Sequence, residues 1–108
     1  MARYLFQLSY TSEAMSTLIS TPQDRGAIIR ERIQRLGGRI ETFDFCFGTY
    51  HVATIIEFPD DETMEAISMA VWASGAINDM NITVLIPMEN AVRAMTRARA
   101  AGYQPPAN

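Results

Sequence analysis

Lysine is absent from this chain of 108 residues, and all nine basic residues are arginine. Schiff-base chemistry on a substrate carbonyl is therefore excluded. The single cysteine, Cys46, allows no internal disulfide and supports no cysteine-based metal site within one chain. There is one histidine, His51, and one tryptophan, Trp72. Net charge is −3, so the basic surface needed for a sequence-independent grip on phosphates is missing, and nucleic acid is not an expected partner. No apolar run approaches the ~20 residues that cross a bilayer. Polar and charged residues interrupt the N-terminal apolar run too early for a secretory signal. No membrane partner is expected, and the expected location is cytoplasmic.

What is present suffices for a core: 48% of the residues are hydrophobic. One domain over residues 1–102 is expected, with a Pro-rich tail, 103–108, expected to be disordered. Arg3 to Tyr10 alternates as a strand. A helical piece from Thr11–Ser12 ends at Thr21, because the residue before Pro22 avoids the α conformation. Thr21 then caps a second piece, with Pro22 at its first position. Ile29, Ile33 and Leu36 form that helix's apolar stripe, and Gly37-Gly38 ends it.

A hairpin follows, Arg39–Phe47 and Tyr50–Phe58 around Gly48-Thr49. Pro59 stops it, and Asp60 or Asp61 starts a helix with the stripe Met64, Ile67 and Val71, closed by Gly75. Ile82–Ile86 is the fourth strand and Met88–Ala101 a last helix. This order gives an α+β, ferredoxin-like βαββαβ fold with a four-stranded antiparallel sheet and an extra C-terminal helix.

Parity within the hairpin sorts two faces. Phe43, Phe45, Phe47, Tyr50, Val52, Thr54, Ile56 and Phe58 form one, expected to lie under the two main helices. Ile40, Thr42, Asp44, Cys46, His51, Ala53, Ile55 and Glu57 form the other. With Leu5 and Leu85 this second face is too apolar for water, and helices cover only one side of such a sheet. A second copy stacked sheet on sheet would bury it, so a homodimer or higher homo-oligomer is expected. The last helix carries a small-residue stripe (Ala91, Ala94, Met95, Ala98, Ala101) that suits either a lid on its own domain or an oligomer contact.

The turn register places Cys46 opposite His51, with Asp44 diagonal to them on the same face. Thiol, imidazole and carboxylate within reach of one another form a candidate catalytic group. The plainer reading is a small buried hydrophobe beside a hydrogen-bonding turn histidine. Tyr10, with an apolar body and a polar tip, suits a cavity mouth. Trp72 is core or pocket wall.

Several pieces together resemble the GYD domain family, named for a Gly-x-Tyr-Asp motif at the start of the third strand. They are Tyr4 and Thr11, Leu36-Gly37-Gly38, Gly48-Thr49-Tyr50, Glu57-Phe58-Pro59-Asp60-Asp61 and Gly75. The naming aspartate is here His51. The resemblance implies a ferredoxin-like fold of the dimeric α/β barrel superfamily, whose members keep a pocket between sheet and helices. It does not carry an activity with it.

The expected function is a homo-oligomer that binds a small apolar or aromatic metabolite. Phe43, Phe45, Phe47, Tyr50 and Trp72 would line the pocket, with His51 or Tyr10 as polar contact. An enzymatic version needs no cofactor and uses His51 as general acid or base. Haem on His51 follows from superfamily analogy alone. The alternative is a non-enzymatic regulatory or structural assembly module. RNA binding is disfavoured, since YHVATIIEF lacks the basic, Gly-rich aromatic motif of RNA-recognition strands.

Overall fold

The computed structural model describes residues 1–107. Its elements are β1 (Ala2–Tyr10), α1 (Ser12–Ser20), α2 (Arg25–Arg35), β2 (Arg39–Phe45), β3 (Val52–Phe58), α3 (Asp61–Ala73), β4 (Ile77–Leu85) and α4 (Met88–Ala101). One antiparallel sheet has the order β2-β3-β1-β4. The fold is ferredoxin-like, as the sequence implied. Residues 103–107 carry no regular secondary structure. Asn108, the last residue of the expected tail, lies outside the described residues.

Thr11 caps α1, its side chain accepting from the Ala14 N–H at 3.1 Å. Thr21 does not cap α2 as expected. Its N–H is spent on the Thr17 carbonyl, closing α1. Asp24 caps α2 instead, accepting from the Ala27 N–H at 3.0 Å. The glycine pair ends α2 for two different reasons. Gly37 adopts φ +80°, and the N–H groups of Gly37 and Gly38 reach the carbonyls of Gln34 and Ile33 in a Schellman closure. Gly38 is needed for space: a Cβ there would sit 2.7 Å from the Phe58 ring and 2.8 Å from the Glu57 carbonyl oxygen.

Alternate residues of β1 and β3 (Tyr4, Phe6, Leu8, Val52, Ile56, Phe58) meet Ile33 of α2 and Met64 of α3 in the core. One sequence expectation fails here. Ile40 was assigned to the open face, yet it is 5% exposed and belongs to the core. The register shifts between Ile40 and Thr42, so Glu41 is an extra residue in β2 and the parity before it inverts. The buried Thr54 hydroxyl donates to the Thr42 carbonyl at this bulge, 2.6 Å away, which explains a polar residue in the core.

The hairpin strands are shorter than expected, ending at Phe45 and restarting at Val52. The turn register is nonetheless as expected, since the Cys46 N–H donates to the His51 carbonyl at 2.7 Å. Helices do not cover the whole aromatic row. Gly26, the second residue of α2, lies against Phe43, where a Cβ would sit 3.0 Å from the ring. Farther along the hairpin, Phe45 is mostly exposed and Phe47 fully so. Strand β4 begins at Ile77 rather than Ile82, because pairing with β1 carries the polar Asp79 into the ladder opposite Ser9, with Asn78 left as an unpaired residue at a register shift. Trp72 is half exposed and is neither core nor pocket wall. The stripe Met64, Ile67 and Val71 faces the core, and the next residue is rotated by about 100° away from Val71.

Helix α4 is not a lid on its own domain. None of its residues is buried, and Val92 and Met95 stand more than half exposed. The radius of gyration is 17.5 Å, against about 13 Å for a compact chain of this length.

The open face of the sheet keeps Leu5, Ala53, Ile55 and Leu85 half-buried. At one end runs a row of ion pairs: Arg3 to Glu41 at 2.8 Å and Arg39 to Glu57 at 2.7 Å. The Arg3 hydrogen bond and charge hold the Glu41 carboxyl below its usual range. This row makes the face more polar than the sequence suggested, because Ile40 has left it and Glu41 has entered.

Candidate ligand-binding site

A cavity of about 110 Å³ lies between the sheet and helices α2 and α3. Phe6, Leu8, Ile29, Ile33, Val71 and Ile77 supply most of its wall, with Tyr10 and Arg25 at its edge. Two wider hollows adjoin it, and Tyr10 and Arg25 line all three. The hollow of about 360 Å³ under α1 adds Met15, Leu18, Ile19 and Phe45.

Four polar side chains touch the inner cavity: Tyr10, Arg25, Thr54 and Ser74. Thr54 is spent on the β2 bulge. Ser74 donates to the Val71 carbonyl and accepts from the Ala76 N–H, closing α3. Arg25 gives one N–H to the Gln23 side chain at 3.0 Å, and Gln23 is itself held by the Thr21 carbonyl at 3.2 Å. Burial pushes the Tyr10 phenol above its usual range, and the Arg25 charge pulls it part of the way back.

His51 is a staple between strands. Its N–H donates to the Leu8 carbonyl at 2.8 Å, and its Nδ1 accepts from the Tyr10 N–H at 2.9 Å. The imidazole thus stands in for a backbone carbonyl of the ladder. It lies between two aromatic rings, 6.0 Å from Tyr10 and 6.1 Å from Phe45, at interplanar angles of 9° and 13°. The bond to Nδ1 places the proton of the neutral ring on Nε2. With its Nδ1 lone pair engaged by the Tyr10 N–H, the ring offers Nε2–H as a hydrogen-bond donor.

The expected trio does not form a hydrogen-bonded group. Cys46 Sγ approaches only the Asp44 main-chain carbonyl, at 4.0 Å, while the His51 side chain is engaged by Tyr10. Of the expected ligand-binding residues, Tyr10 and Phe45 line the hollows under the helices. Phe47 and Tyr50 lie with Cys46 at the hairpin tip, and Trp72 lines neither place. Among the described residues no three His, Cys, Asp or Glu side chains could share a metal ion. The cavity is small for a porphyrin and His51 is not in its wall, so the residues present do not fit a haem held by His51.

Sequence reasoning passed over Arg25, which sat unremarked inside an expected helix. A signal existed: α2 has no acidic residue in its first turn and begins with a cation, which is the unfavourable sign for that end of a helix.

The family model described as the GYD domain matches residues 4–95, and the chain belongs to that family. A solved structure described as the crystal structure of FFRP-DM1 is similar over 80% of this chain and 100% of its own, at 12% identity and a TM-score of 0.49. The comparison with curated proteins returned no match. No helix among the described residues is long and apolar enough to cross a membrane.

Proposed function

We propose that this protein is a homo-oligomer that binds a small apolar molecule in the cavity between sheet and helices. The observation that carries the reading is the cavity itself: an apolar hollow with two polar side chains that keep donors to spare, Tyr10 and Arg25, at its edge, the usual composition of a ligand site. Self-association is supported separately by the half-buried aliphatics of the open sheet face and by α4, which has no packing surface on its own domain.

The test is saturation-transfer NMR with toluene and benzamide, on the protein and on Ile29→Trp, which fills the cavity from its wall. Transfer to both probes in the parent, lost in Ile29→Trp, supports the reading. No transfer in the parent removes it.

The second reading, a non-enzymatic assembly module, draws on α4. An oligomer that sheds all probes but falls apart when residues 88–108 are deleted would favour it. An enzymatic role for His51 is constrained by the staple: as a general base it would have to release the Tyr10 N–H first.

A further inference from the structure

We infer that the ligand of this cavity is a monocarboxylate with a compact apolar body, its carboxylate held at the mouth by Arg25 and Tyr10. The inference rests on the cavity being the binding site and specifies its substrate class.

The apolar part follows from the wall and the volume. An engineered apolar cavity of 150 Å³ accepts benzene, so about 110 Å³ suits one small ring or a short branched chain. The anionic part follows from what is left uncommitted at the mouth. Arg25 is half-buried and pairs with no carboxylate among the described residues. Among the described residues its one partner is Gln23, which fixes the guanidinium and leaves four of its five N–H groups. A planar fork of donors beside an apolar hollow matches a carboxylate, which it can hold with two parallel bonds. Tyr10 lines the same three hollows, and its hydroxyl can add a third donor.

The charge of the ligand is limited to one. The nearby acids, Asp24 and Glu13, line the outer hollows. Asp24 is committed to the α2 cap. Arg25 alone can neutralise one negative charge, and a phosphate dianion would carry a second, unmatched charge beside Asp24 and Glu13. Gln23 acts as a positioning residue, through Arg25.

Isothermal titration with benzoate and with its neutral isostere benzamide tests this, on the parent and on Arg25→Gln, Arg25→Lys and Tyr10→Phe. The parent is expected to bind benzoate roughly tenfold or more tighter than benzamide. Arg25→Gln should abolish that preference, and Arg25→Lys should restore part of it. Tyr10→Phe should reduce the preference without removing it. Circular dichroism confirms that each variant folds. Equal binding of acid and amide in parent and Arg25→Gln overturns the carboxylate assignment and leaves the cavity reading standing. Binding of neither probe overturns both.

Discussion

Replacing Ile33 by alanine probes the packing around the cavity most sharply. Ile33 is 1% exposed, sits on the core side of α2 and forms part of the cavity wall. The substitution removes three carbon groups, costing about 2.4 kcal/mol in transfer free energy at ~0.8 kcal/mol each. It also merges about 60 Å³ of new space with the existing hollow, adding roughly 1.4 kcal/mol at ~24 cal/mol per Å³ if the walls do not relax. The expected loss is therefore about 3–4 kcal/mol, a large share of the ~5–15 kcal/mol that holds a domain together.

Urea denaturation at fixed protein concentration measures it, since an oligomer's midpoint depends on concentration. The m-value should stay constant. Toluene at saturation should return part of the lost stability in Ile33→Ala by filling the enlarged space. A loss below about 1 kcal/mol, with no toluene rescue, would refute the packing of α2 over an apolar hollow.

Gly38→Ala forces a methyl against the Glu57 carbonyl and the Phe58 ring, and should cost about 1–3 kcal/mol by denaturation; an unchanged midpoint would contradict the close approach of the α2–β2 turn to β3. The Tyr4 phenol is pushed up to about 12, first by burial and then by its hydrogen bond to Asp61. A raised folded pKa means stability is intact below pH 10 and falls as pH climbs from 10 toward about 12. In Tyr4→Phe that particular decline should be missing from alkaline melts. Nitrogen-15 NMR should find neutral His51 protonated at Nε2, and His51→Ala should speed hydrogen exchange at the Tyr10 amide. Equal exchange in both proteins would show that the staple is not made.

The fold was legible because alternation, caps and glycines agreed. Tyr4, Phe6 and Leu8 alternate as a strand should, Gly37-Gly38 stops α2, and Pro59 with Asp60 separates β3 from α3. The bulge at Glu41 was not legible. A single inserted residue leaves the apolar pattern of IETFDF compatible with either face, and only pairing with β3 decides that Ile40 turns inward. The site was read in part. Tyr10 and Phe45 reached the hollows because strand parity put them there. His51 was placed correctly in register, but its side chain replaces a ladder acceptor, a choice that depends on the neighbouring strand rather than on local sequence. Trp72 was misread because one position on a helix is worth about 100° of rotation. Arg25 was passed over because its meaning comes from Tyr10, on a different element and beside the same hollows only after folding.

Native mass spectrometry of the protein incubated with benzoate weighs the assembly and its ligand together. The expected species lie at multiples of 12.1 kDa above the first, each chain carrying one benzoate, with the ligand absent from Ile29→Trp. Bare monomers of 12.1 kDa, with no adduct at any benzoate concentration, would contradict both the assembly and the cavity.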